Sequence, residues 1–260
     1  MTDCEHTDYE RPSIARRYGE ARLLPADAMA KWVAKIREAA GQKNEAQLVL
    51  DLGCGVGRFL DPLAQAFPCA RVVGVEPAMA MIHEVRVCPG ARISLVRARA
   101  PALPFSDRSF DIIFISMVLH YLVDPIQGLR DCYRILRPGG ALLVRSGTKE
   151  SIPSFRFLAD FPKAMRIELE RMPTRRRLVE TVRSAGLSGV TLESVTQISV
   201  RTYSEYYERV RLRGFPSLAL ISDDDFRKGL ARFAETCQHQ APHAAPPEEI
   251  VDLVVGRKPG

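Results

Sequence analysis

Short aliphatic runs alternate with stretches whose apolar residues recur every three or four positions, from Leu48 through Ser146. The runs Leu48–Leu52, Arg71–Val75, 93–97, Phe110–Ser116 and 141–146 read as strands, several of them apolar at successive positions, as in a sheet buried on both faces. Between them, residues 58–67, 78–85 and 125–136 carry helical periodicity. Such alternation predicts an α/β fold with a mostly parallel sheet and helices on both faces.

The flanks extend this core. Residues 26–40 repeat Met29, Trp32, Val33 and Ile36 at helical spacing, and Gly41 follows as a stop signal. Before them, residues 1–17 carry Asp3, Glu5, Asp8 and Glu10 with no apolar stretch of the kind a secretory signal needs, and read as a frayed cytoplasmic start. After Ser146, helices are predicted over 155–165 and 174–185, a strand over 190–200 and a last strand over 250–255, seven strands in all. Residues 203–239, rich in Tyr, Arg and Leu, read as a helical insert capping one sheet edge, because so long a structureless loop is rare in a compact domain. The chain is therefore read as a single domain over 1–260, with cap segments at 1–44 and 201–247.

Composition narrows the function class. The apolar run 112–123, interrupted by Ser116 and His120, is too short to span a bilayer, so no membrane segment is expected. Six cysteines without a Cys-x-x-Cys pair fit a reducing compartment better than a disulfide framework. Cys237, His239 and His243 could tempt a metal reading, but Pro242, Pro246 and Pro247 beside them mark a connecting loop, and no metal is expected. A net charge of +6 raises the question of nucleic acid. The one dense basic run, Arg175, Arg176 and Arg177, has no interleaved aromatics and reads as a solvated helix face.

The strongest chemical signal is Val49-Leu50-Asp51-Leu52-Gly53-Cys54-Gly55-Val56-Gly57, a buried strand running into a glycine loop ahead of a helix. Glycines there leave bare main chain for a ligand and permit positive φ. A dinucleotide fingerprint wants a third glycine at the position of Arg58. The pattern Asp-x-Gly-x-Gly-x-Gly instead resembles the class I S-adenosylmethionine-dependent methyltransferases. The likeness extends to Val72-Val73-Gly74-Val75-Glu76-Pro77, to Leu103-Pro104-Phe105-Ser106-Asp107 and to Arg134-Ile135-Leu136-Arg137-Pro138-Gly139-Gly140.

This resemblance implies a Rossmann-like fold, S-adenosylmethionine as cofactor, and methyl transfer to a small-molecule acceptor by in-line displacement. It makes Glu76 the ribose ligand, although an acid ahead of residues 78–85 could equally serve that helix's N-terminus. With it, Asp51, Gly53, Cys54, Gly55, Gly57, Pro77 and Ser116 are expected around the cofactor. Tyr18 and Arg22 resemble the family's N-terminal segment that closes over the methionine end, where Arg22 could pair with the carboxylate. One departure stands out: family members commonly carry an Asp, a small residue and a Glu shortly before Leu-Pro-Phe, where this chain has Arg99-Ala100-Pro101. Arg99 cannot accept from the adenine amino group, so Ala100 is expected to offer its backbone N–H. His120, after the fourth strand, is expected either as base or acceptor-orienting group or as a packing residue. A tRNA methyltransferase and a non-catalytic cofactor-binding protein remain the alternatives.

Overall fold

The computed structural model describes residues 9–41, 48–240, 244 and 248–260. Its centre is a seven-stranded sheet of β1 (Leu48–Leu52), β2 (Arg71–Val75), β3 (Ile93–Val96), β4 (Phe110–Ser116), β5 (Leu136–Ser146), β6 (Ser188–Gln197) and β7 (Glu249–Arg257), in the order β3-β2-β1-β4-β5-β7-β6. All adjacent pairs are parallel except those made by β7, which runs antiparallel to both β5 and β6. The order reverses between β1 and β4, which opens a crevice at their carboxyl ends where open α/β sheets bind ligands.

Alternation along the central strands divides the core. Val49, Val72, Ile112, Phe114 and Leu143 pack on one side with Trp32 and Ile36 of α2 (Ala26–Ala39) and Leu60 and Leu63 of α3 (Leu60–Ala66). Leu50, Val73, Ile113, Ile115 and Val144 pack on the other with Leu129 of α5 (Pro125–Ile135) and Leu178 of α7 (Arg175–Ser184). Burial on both faces is why these runs are apolar throughout.

Several boundaries differ from the sequence reading. Residues 1–8 lie outside the described region, but 12–17, read as frayed, belong to helix α1 (Pro12–Ala21), which Pro12 starts because its missing N–H costs nothing there. The helix expected over 155–165 is instead a short 3-10 turn (Arg156–Asp160) followed by α6 (Pro162–Arg171), since Pro162 cannot continue a helix that runs into it. The helix expected over 78–85, α4, is confined to Met79–His83. The insert divides into α8 (Tyr203–Arg211), α9 (Pro216–Ala219) and α10 (Asp223–Gln238), broken by Gly214 and Pro216 and restarted by the Ser222 cap. A Cβ on Gly214 would overlap the Arg17 carbonyl, so this glycine is what lets the insert lie directly on α1.

The Arg175-Arg176-Arg177 run is not uniformly solvated. Arg175 Nε donates to the fully buried Asp252 of β7 at 3.1 Å, whereas Arg176 pairs with Glu180 on the surface. His239 Nδ1 lies 2.7 Å from the Glu235 carbonyl of its own helix, and His243 falls outside the described residues. Among the described residues no helix is long and apolar enough to cross a membrane.

Candidate functional site

The loop after β1 is shaped by its glycines. Gly53, Gly55 and Gly57 all have positive φ, at 70°, 57° and 81°. A Cβ on Gly53 would collide with Val118, and one on Gly57 would stand 2.8 Å from Val85, so both are packed against protein. Gly55 differs: a Cβ there would meet only Tyr18 Cε1, at an ordinary contact distance of 3.9 Å, so its main chain is not packed over by the protein as tightly as its neighbours'. The Gly53 and Cys54 N–H groups donate to the Val75 carbonyl at 2.7 and 3.0 Å, pinning the loop to the end of β2.

Glu76 follows directly on β2. Its Oε2 accepts from Gly55 N–H and its Oε1 from Ala78 N–H, both at 3.0 Å. Each oxygen retains lone-pair capacity for a further donor. Burial raises its pKa, opposed by the two backbone donors. Of the two sequence readings of this acid, the one tied to the helix is seen in part, since Oε1 accepts from the N–H of Ala78, the residue directly ahead of α4 (Met79–His83).

Around Gly55 and Glu76 lies a cavity of about 190 Å³, lined also by Gly53, Pro77, Tyr18, Ser116, Met117 and Tyr121. Its lining is mainly apolar with a few convergent polar groups, the usual make-up of a small-molecule site. Six expected residues therefore come together: Gly53, Gly55, Glu76, Pro77, Ser116 and Tyr18. Gly57 shapes the loop without lining the cavity. Cys54 is buried with its thiol toward the Gly74 position, and burial pushes its pKa up. Asp51, 2% exposed, lies beneath the loop, where burial foremost raises its pKa to about 7. Ala100 is packed with Leu103, Leu119 and Leu129 in the second core and is not among the lining residues.

Two smaller cavities continue inward. The first, about 40 Å³, shares Tyr18, Met117 and Tyr121 with the large cavity and adds His120, Arg22, Arg171 and Phe155. The second, about 20 Å³, shares Arg22, Met117, Phe155 and Phe215 with the first and adds Arg58, Arg145, Gln197 and Glu249. Arg22 thus borders the inner cavities, with its guanidinium 5.4 Å from the Phe215 ring centroid. His120 lies in the first inner cavity, its ring 4.3 Å from that of Tyr121 and its Nδ1 buried without a partner. Burial, then Arg171 and Arg22, hold its pKa well below the ordinary 6.5, so it is neutral near pH 7.

Sequence reasoning missed several participants. Tyr9, within the segment read as frayed, closes over the large cavity: its hydroxyl meets that of Tyr121 at 2.8 Å and its ring packs edge-on against Tyr18. Glu10 anchors it through Arg97 at 3.0 Å and the Met79 N–H. Arg145 and Gln197 gave no local signal, because each looks like an ordinary polar position on a strand until the sheet brings them together.

Comparison with known proteins agrees with this geometry. Over about 91% of the chain and 99% of its counterpart, the fold superposes with a TM-score of 0.70 and 16% identity on a provisionally assigned methyltransferase from an antibiotic biosynthesis pathway of Anabaena variabilis, which establishes the fold. Residues 50–144 match the model of the methyltransferase domain family. The chain is 31% identical over 183 residues to a malonyl-[acyl-carrier protein] O-methyltransferase of Methylococcus capsulatus, covering 67% of this chain and 59% of that protein. It is 31% identical over 150 residues to a trans-aconitate 2-methyltransferase of Variovorax paradoxus, covering 56% of this chain and 53% of that one. The matched region thus spans little more than half the length of these relatives. The protein has the Rossmann-like fold of the class I methyltransferases. More particularly, it carries an S-adenosylmethionine-dependent methyltransferase domain, and the bare main chain at Gly55 beside Glu76 fits that cofactor.

Proposed function

We propose that this protein transfers a methyl group from S-adenosylmethionine to a small-molecule acceptor. The observation that carries the reading is the cavity lined by the bare main chain of Gly55 and by a carboxylate whose two oxygens are aligned by backbone donors. When bound, the cofactor supplies a sulfonium methyl with a good leaving group. The chain's own tasks are then alignment and exclusion of water.

Glu76 would accept from the ribose hydroxyls, with Gly53, Gly55, Pro77 and Ser116 forming the bed. Asp51, Cys54 and Gly57 act through the shape of the loop. Tyr9, Tyr18 and Tyr121 would cover the bound molecule and keep water out. Arg22, whose Nε is buried without a partner, would pair with the methionine carboxylate. The Ala100 N–H remains the candidate donor to adenine. His120 suits orientation better than proton removal, because a depressed pKa makes a weak base while the free Nδ1 can accept a hydrogen bond from the acceptor. The scattered thiols fit a cytoplasmic setting.

The test is calorimetry with S-adenosylhomocysteine on the wild-type chain and on Gly55→Arg. Saturable binding by the first and none by the folded variant is expected. Equal affinity in both would overturn the reading. Release of S-adenosylhomocysteine on incubation with a metabolite extract separates an enzyme from a non-catalytic binder.

A further inference from the structure

The innermost cavity has an unusual charge balance. Four arginines, Arg22, Arg58, Arg145 and Arg209, line it against one carboxylate, Glu249. Arg209 is engaged with Glu205 at 2.5 Å. Among the described residues, no carboxylate lies within ion-pair distance of Arg22, Arg58 or Arg145. Glu249 itself accepts from Gln197 Nε2 at 3.0 Å, so it reaches Arg145 only through that amide.

Arg145 is the most constrained of the group. It is 2% exposed, on β5 next to Ser116 of β4 in the register, and its guanidinium lies 4.4 Å from the Trp32 ring centroid and 5.6 Å from that of Phe59. Nη2 donates to Gln197 Oε1 at 2.8 Å and Nη1 to Ser116 Oγ at a long 3.3 Å. Nε is buried with no partner. A buried cation with an unused donor and no directly paired carboxylate, Glu249 acting only through Gln197 and across the cavity, is costly, and an arriving anion would relieve that cost. Arg58 adds like-charge repulsion from within the same cavity.

We infer that this cavity holds the carboxylate of the methyl acceptor, with Arg145 as the anchoring residue, so that the acceptor class is a small carboxylic acid. The inference rests on the proposed methyl transfer. A planar carboxylate matches an edge of the guanidinium that the rings hold flat. The volume agrees: about 20 Å³ has room for one or two water-sized groups, as a carboxylate needs, while the adjoining cavity of about 40 Å³ takes the rest of a short molecule beside His120. That places the far end of the acceptor at Met117 and Tyr121, where the inner cavities meet the large one.

The experiment is titration calorimetry on the protein saturated with S-adenosylhomocysteine, using malonate, succinate, glutarate and benzoate, each beside its neutral amide. At least one acid is expected to bind tenfold or more tightly than its amide. Arg145→Gln should weaken that acid tenfold or more, Arg145→Lys should restore part of the loss, and affinity for S-adenosylhomocysteine should stay within about threefold. The inference is overturned if no acid exceeds its amide, a comparison that needs only the wild-type chain. It is equally overturned if Arg145→Gln lowers S-adenosylhomocysteine affinity as much as acid affinity, since the cavity would then serve the cofactor's own carboxylate. Failure of the wild-type chain to bind S-adenosylhomocysteine at all would instead count against the proposed methyl transfer.

Discussion

The backbone N–H of Gly55 donates to Glu76 Oε2 across 3.0 Å, tying the turn after β1 to the carboxyl end of β2. One carboxylate thereby sets the shape of the loop and borders the space above it. Any ligand grasped by Glu76 is held in register with the bare main chain of Gly55.

Replacing Glu76 should accordingly affect binding through two routes. Glu76→Gln keeps the size but lacks the charge, and one of its two terminal atoms can no longer accept from a backbone N–H. A loss of S-adenosylhomocysteine affinity of at least about tenfold, or about 1.4 kcal/mol, is expected by calorimetry. Unaltered affinity would show that the sugar is not held here.

Asp51 predicts a pH dependence. Its pKa is raised from 3.8 to about 7, chiefly by burial. For an acid with a raised folded-state value, the stabilising contribution is complete below pH 3.8 and is lost as pH rises through about 7. That span corresponds to about 4 kcal/mol as an upper figure. Asp51→Asn should therefore gain thermal stability relative to wild type between pH 4 and pH 8 in the ligand-free chain. A difference in melting temperature that stays flat with pH would contradict the burial of a charge at this site.

Arg175 and Arg176 are adjacent in sequence and opposite in consequence. Asp252 is fully buried and accepts from Arg175, Thr148 Oγ1 and Ser194 Oγ. Arg175→Ala leaves that charge without a cation and should cost about 3 kcal/mol. Arg176→Ala removes an exposed pair and should cost under about 1 kcal/mol. Denaturant titration of the two variants distinguishes them, and equal losses would refute the assignment.

Tyr9 covers the large cavity through Tyr121 and Tyr18. Tyr9→Ala should speed S-adenosylhomocysteine release and weaken binding by about three- to tenfold, while unfolding stability changes by less than about 1 kcal/mol because the strap is peripheral. Stopped-flow displacement measures the release rate; a rate equal to wild type would mean that the strap does not act as a cover.

The central strands and the glycine loop were legible from residues alone because their causes are local. Val49, Leu50, Leu52 and their counterparts are apolar on both faces of a covered sheet, and a turn with three positive φ values admits little but glycine. Glu76 was readable for the same reason, since one residue after a strand fixes which edge of the sheet it occupies. Helix boundaries near Pro162 and Gly214 were less legible, because periodicity outlasted the point where backbone chemistry stops a helix.

What tertiary structure alone decided is the company each polar residue keeps. Residues 9–17 look like an untethered start until Gly214, just after α8, comes against Arg17 of α1 and Tyr9 meets Tyr121, more than one hundred positions away. Arg145 and Gln197 are 52 residues apart and meet only because β7 inserts antiparallel between their strands. Local propensity depends on neighbours along the chain, whereas burial and charge balance depend on neighbours in space, which a linear pattern does not specify.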